Sequence, residues 1–180
     1  MIPGVVRTRV GYCGGTTRNP TYHNIGDHSE TTQIDFDPAK ISYAAILDLV
    51  WKSHNPCRGS YSTQYRSAIF YHNDEQKKIA LESLKRQEAR RGKIETSVEP
   101  ATEFYLAEDY HQKYSLRCTP EVMEEFAKIY PNLNDFVNST AAARANGYAH
   151  GLGSVECFEN EAPSLGLSDR ALIILRQHMR

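Results

Sequence analysis

Residues 4–15, GVVRTRVGYCGG, decide how this chain is read. Val and Thr alternate with polar residues up to Tyr12, the two-residue period of a half-buried strand, and Gly14-Gly15 turns the chain out of it. A second strand is predicted over residues 31–36, stopped by Asp37-Pro38. The loop between them, about eighteen residues with Asn19-Pro20 and Gly26, is longer than most connections in compact domains and is therefore a candidate functional loop.

Further along, Ser42 can cap a helix to about His54 with Ala45, Ile46, Leu49 and Val50 on its apolar face. Residues 67–71 form a short apolar run. Asn73 with Gln76 has the form of a capping box for a helix to about Arg91, which Gly92 stops. Residues 94–99 read as another strand, and an irregular aromatic segment leads to a short helix over about 108–114. The order strand, strand, helix, strand, helix, strand belongs to the α/β class. From Cys118 the pattern becomes helical: Thr119-Pro120 opens a helix to about Tyr130, a second covers 134–146, glycines recur over 147–153, and an amphipathic helix covers 168–179.

The length, 180 residues with 40% hydrophobic composition, suits one domain plus an extension. Lys and Arg number 21 against 22 Asp and Glu, a formal net charge of -1 that offers no field for nucleic acid or an anionic membrane. The basic cluster of Lys85, Arg86, Arg90, Arg91 and Lys93 sits where cations suit a helix C-terminus. No apolar run reaches the roughly 20 residues that span a bilayer, and the first residues lack a signal peptide's pattern, so a soluble, intracellular chain is expected. The four cysteines, Cys13, Cys57, Cys118 and Cys157, are scattered, which suggests neither a metal site nor a disulfide framework.

Four motifs carry a resemblance. GYCGGTTRNPTY over 11–22, GDHSE over 26–30, STQYRSAIFYH over 62–72 and FYLAEDYHQKY over 104–114 closely resemble the methionine sulfoxide reductase A family. Asn146-Gly147-Tyr148 and the following glycines resemble its longer-tailed animal branch. The resemblance implies an α+β plait, a mixed sheet with packed helices, whose reductase-like core covers residues 1–117 and whose helical extension covers 118–180. It also implies a first strand, a Gly-Cys-Phe-Trp turn with the nucleophilic cysteine, and a helix, all expected upstream of what this sequence contains.

Sulfoxide reduction sets its own requirements. A thiolate attacks sulfur while the oxygen gains a proton, since an unprotonated oxide is a poor leaving group, so a general acid and fixed O–H donors are needed there. On the resemblance, Glu30, just ahead of the second strand, stands where the family's acid stands, and Tyr22 and Tyr65 match the two phenols that hold the sulfoxide oxygen. Tyr105 is the candidate to touch the substrate methyl group, with Asp109 and His111 as hydrogen-bonding braces. Read without the resemblance, Glu30 is an exposed turn carboxylate, each of the 11 tyrosines a packing residue and His111 a structural one. Arg66 reads as a structural ion-pair partner. Ser60 occupies a position where most members carry an Asp.

The implied activity is thiol-dependent reduction of methionine (S)-sulfoxide, in proteins or free, back to methionine, as repair of oxidative damage. The family's sulfenic acid is resolved by a second cysteine and thioredoxin. Cys157, after the glycines on what reads as a flexible arm, is the candidate recycling thiol, with Glu156 and Glu159 expected to raise its pKa. Cys118 and Cys13 are weaker candidates for any thiol chemistry. The other reading is a catalytically silent module, or inactive short isoform, that binds methionine sulfoxide. No cofactor or metal is expected; the expected partners are oxidised proteins and thioredoxin, and the expected state is a cytoplasmic, possibly also nuclear, monomer.

Overall fold

The computed structural model describes residues 2–179. Strand β1 (Val5–Cys13) lies between β2 (Ser29–Phe36) and β5 (Tyr105–Leu106), and β5 runs antiparallel to it with Gly11 opposite Leu106 and Tyr12 opposite Tyr105. A separate sheet pairs β3 (Ala68–Tyr71) with β4 (Ser97–Pro100) in parallel, from Ala68 opposite Ser97 to Tyr71 opposite Pro100. A parallel pair needs a crossover, and α2 (Asp74–Arg91) supplies it. The fold is α+β, as expected, but its described strands form two sheets rather than one mixed sheet.

The chain divides into two units: residues 10–32 with 38–107, and residues 1–9 with 33–37 and 108–180. In the former, α1 (Tyr43–Ser53) begins at Ser42, whose hydroxyl accepts from the Ala45 N–H. The buried face is Ile46, Leu47 and Trp51, while Leu49 is exposed, a rotation from the expected face. Trp51 sets it. Its ring is buried with Leu47, Ile69 and Ala80, and its N–H donates to Ser83 Oγ at 3.0 Å, so a large apolar surface leaves water without stranding the indole donor.

Asn73 caps α2 by accepting from the Gln76 N–H. The reciprocal bond reaches one residue further back than a capping box requires: Gln76 Oε1 accepts from the His72 N–H at 2.9 Å. Gly92 ends the helix at φ +82°, a left-handed value that glycine adopts without strain.

The other unit gathers α3 (Tyr114–Arg117), α4 (Pro120–Ile129), α5 (Leu133–Asn138), α6 (Thr140–Ala149), α7 (Val155–Glu161) and α8 (Asp169–Gln177). Leu116, Val122, Phe126, Phe136, Tyr148 and Leu175 are the heart of its core. The single helix expected over 134–146 is two, because the Ser139 hydroxyl accepts from the Ala142 N–H and starts α6 afresh. Gly147, expected to open a glycine linker, lies buried inside α6.

Candidate active site

The long loop after β1 is held by one carboxylate. Asp27 accepts from the backbone N–H groups of Thr16 and Thr17 and from both hydroxyls, at 2.8 to 2.9 Å. These bonds, that from the Thr17 N–H foremost, hold its carboxyl well below the ordinary carboxylate range. Gly26 at φ +62° lets Thr17 approach: a Cβ there would stand 2.2 Å from Thr17 Oγ1. The buried His28 ring accepts from the Gly15 N–H on Nδ1 at 3.2 Å, so its proton sits on Nε2 and is donated to the Thr17 carbonyl at 2.7 Å.

At the other end of the loop, β2 begins two residues earlier than expected, and Glu30 is its second residue rather than a turn residue before it. The cause is the 63–66 segment. Ser29 Oγ donates to the Thr63 carbonyl at 2.9 Å, Arg66 Nε donates to Ser29 Oγ at 2.8 Å, and the Glu30 N–H donates to the Gln64 carbonyl at 2.9 Å. Gln64 Nε2 adds a bond to Glu30 Oε1 at 2.8 Å. Arg66 is itself locked by the Glu99 carboxylate, with Nη2 on Oε2 at 2.9 Å and Nη1 on Oε1, and its guanidinium lies over the Phe70 ring. The Glu99 bonds raise the Arg66 pKa and the same pair lowers that of Glu99, so the two ends agree in direction.

The Tyr22 and Tyr65 hydroxyls meet at 3.4 Å. The Tyr65 phenol is raised above the ordinary tyrosine value, mainly by this bond, with loss of solvent and the charges of Tyr22 and Glu30 acting in the same direction. Tyr65 is 58% exposed. Tyr105 sits edge-on to His28, and its hydroxyl donates to Glu103 Oε2 at 2.6 Å, which raises its pKa. The structure thus brings Tyr22 to Tyr65 and Glu30 to the residue before Tyr65. It also shows Gln64, Ser29 and His28 as framework residues that the sequence reading passed over.

Asp109 and His111 belong to the other unit, in a 3-10 turn (Asp109–His111), with His111 Nε2 3.9 Å from Glu108 Oε2. Cys157 lies there too, in the first turn of α7 rather than on a glycine arm. Its thiol is pushed below its ordinary value, first by hydrogen bonding to Ser154, against the expectation that Glu156 and Glu159 would raise it. Glu159 is engaged elsewhere, by Arg176 at 3.0 Å. Among the described residues all four cysteines are free, no cluster of three His, Cys, Asp or Glu is placed to hold a metal, and no helix is long and apolar enough to cross a membrane.

The family model described as peptide methionine sulfoxide reductase matches residues 1–145. The chain belongs to the peptide methionine sulfoxide reductase family. A second model, described as the helical domain of selenoprotein methionine sulfoxide reductase A, matches residues 132–177. The family's relatives include a peptide methionine sulfoxide reductase of Drosophila melanogaster, 40% identical over 92% of this chain and 67% of its own length. Another is peptide methionine sulfoxide reductase A5 of Oryza sativa, 36% identical over 82% of this chain and 60% of its own. Among solved structures, reduced Mxr1 of Saccharomyces cerevisiae superposes with a TM-score of 0.58 at 30% identity, covering 66% of this chain and 74% of that one. The chain therefore spans roughly two thirds of the length of these curated reductases.

Proposed function

We propose that this chain recognises methionine (S)-sulfoxide, free and in oxidised proteins, through Glu30, Tyr22 and Tyr65, as part of a thiol-dependent reduction to methionine. The observation that carries the reading is the joining of two segments. Gln64-Tyr65 places one donor on the Glu30 carboxyl and the next residue's hydroxyl against Tyr22. Glu30 acts as the proton donor to the sulfoxide oxygen, and the two phenols donate to the same oxygen as the S–O bond lengthens. A thiolate takes the oxygen as a sulfenic acid, methionine leaves, and a second thiol expels water to give a disulfide that thioredoxin reduces. Tyr105, in the same unit as Glu30, Tyr22 and Tyr65, flanks the substrate methyl group.

A second reading rests on Cys13 of the Gly-Tyr-Cys-Gly-Gly turn, which is buried with its sulfur 3.6 Å from the Thr102 carbonyl and so is not presented to a substrate. On this reading the chain binds the sulfoxide without reducing it. Incubating the chain with N-acetylmethionine S-sulfoxide and dithiothreitol separates the two. Reduction supports the enzyme, binding without reduction supports the module, and neither binding nor reduction rejects both.

A further inference from the structure

Gln64 grips one residue with both of its ends. Its carbonyl accepts from the Glu30 N–H at 2.9 Å, and its side-chain Nε2 donates to Glu30 Oε1 at 2.8 Å. The backbone bond sets where β2 starts, and any residue could provide it. The side-chain bond does something a backbone bond here does not: it distinguishes the two oxygens of a carboxyl. An amide N–H only donates, and the carbonyl oxygen of a protonated carboxyl is a better acceptor than the oxygen bearing the proton. A carboxyl pinned at Oε1 therefore keeps its proton on Oε2.

Glu30 is an exposed side chain with three rotatable bonds, so without such a contact it would sample many directions. Gln64 is half-buried, and its own main chain is fixed in a turn where the Gln64 N–H donates to Ser62 Oγ at 3.1 Å and the Tyr65 N–H to the Ser62 carbonyl at 3.2 Å. The anchored partner thus orients the mobile one.

We propose that Gln64 is a positioning residue for Glu30, holding Oε1 so that Oε2 presents the proton to the oxygen of a bound methionine sulfoxide. The inference rests on Glu30 being the proton donor. It also makes the Gln64-Tyr65 pair a single device, one residue aiming the acid and the next supplying a phenol.

The test is a double-mutant cycle on the affinity of the chain for N-acetylmethionine S-sulfoxide, with wild type, Gln64→Met, Glu30→Leu and the double variant, each checked for fold by circular dichroism. Gln64→Met, close in shape but without the donor, is expected to weaken binding about three- to tenfold, the range of one hydrogen bond. In the Glu30→Leu background the same change is expected to cost nothing further. Independent, additive losses overturn the proposal, since they mean that Gln64 does not act through Glu30. Unchanged affinity in Gln64→Met, with a clear loss in Glu30→Leu, overturns this inference alone. Unchanged affinity in Glu30→Leu overturns the acid reading and this inference with it. A ligand-independent readout is the side-chain amide of Gln64 in a nitrogen-15 spectrum. One Nε2 proton is expected downfield of ordinary glutamine amides and returned to them by Glu30→Leu; an indifferent signal contradicts the contact.

Discussion

The hydroxyls of Tyr22 and Tyr65, residues 43 positions apart in sequence, stand 3.4 Å from each other. At this long contact only one hydroxyl can point its hydrogen at the other oxygen, so the pair itself engages no more than one of its two O–H donors. If they form the sulfoxide-oxygen site, Tyr22→Phe and Tyr65→Phe should each weaken binding of N-acetylmethionine S-sulfoxide about three- to tenfold. Full affinity in both variants would remove the phenols from the account.

The same pair has a pH signature. Deprotonating Tyr65 is disfavoured chiefly by its bond with Tyr22 and then by solvent loss and nearby charge, so its carbon-13 ring signal should titrate above the ordinary tyrosine range. Tyr22→Phe removes the leading cause and should move that titration downward. A Tyr65 titration indifferent to the substitution contradicts the pairing.

Lys113 carries a buried ammonium that donates to the Thr8 carbonyl from a left-handed backbone at φ +55°. Burial, with the charge of Arg9 adding to it, lowers its pKa from 10.5 to about 8. Between those values the unfolded chain binds more protons at this site than the folded one, so stability rises with pH across that window and the cost is fully present below it. The cost is on the order of 3 kcal/mol. Urea midpoints should therefore climb from pH 8 to 10 in wild type and climb less in Lys113→Met; equal slopes contradict the assignment.

In the helical unit the Glu161 carboxylate serves two partners, accepting from the Tyr148 hydroxyl at 2.6 Å and pairing with Arg144. Tyr148→Phe should cost about 1 kcal/mol, the net worth of one hydrogen bond. Glu161→Ala should cost more, about 2 to 3 kcal/mol, because it strands a largely buried guanidinium as well as the phenol. Thermal unfolding of the two variants checks the order.

Gly14 ends β1 at φ +84°, where a Cβ would stand 2.5 Å from the Phe70 ring and 2.9 Å from Arg66 Nη2. Gly14→Ala should cost at least about 2 kcal/mol through strain and collision together. Trp51 is the only tryptophan and is buried in the same unit, so its fluorescence reads the loss directly.

Local chemistry was legible in the sequence. The caps at Ser42 and Asn73 are bonds between a side chain and a backbone group three residues on, and such bonds announce themselves by residue type and spacing. What depended on distant partners was not. The two-residue strand Tyr105–Leu106 has no alternation to detect and exists because Gly11 and Tyr12 lie opposite it. Ser139 breaks a continuous helical pattern by capping, and Gly147 is tolerated inside α6, which removed the expected flexible arm before Cys157. At the candidate site, Glu30, Tyr22 and Tyr65 stood out only through motif resemblance. Gln64, which neither titrates nor coordinates, gave no chemical signal until its contact with Glu30 was seen.

The most direct test is a nuclear magnetic resonance titration of the chain, labelled at backbone amides and tyrosine rings, with the S and R epimers of N-acetylmethionine sulfoxide in turn. The S epimer should shift the signals of Tyr22, Glu30, Gln64 and Tyr65 together with one affinity, and the R epimer should shift them far less. Shifts that spare these four residues, or that are equal for both epimers, would contradict a site built from a carboxyl and two phenols.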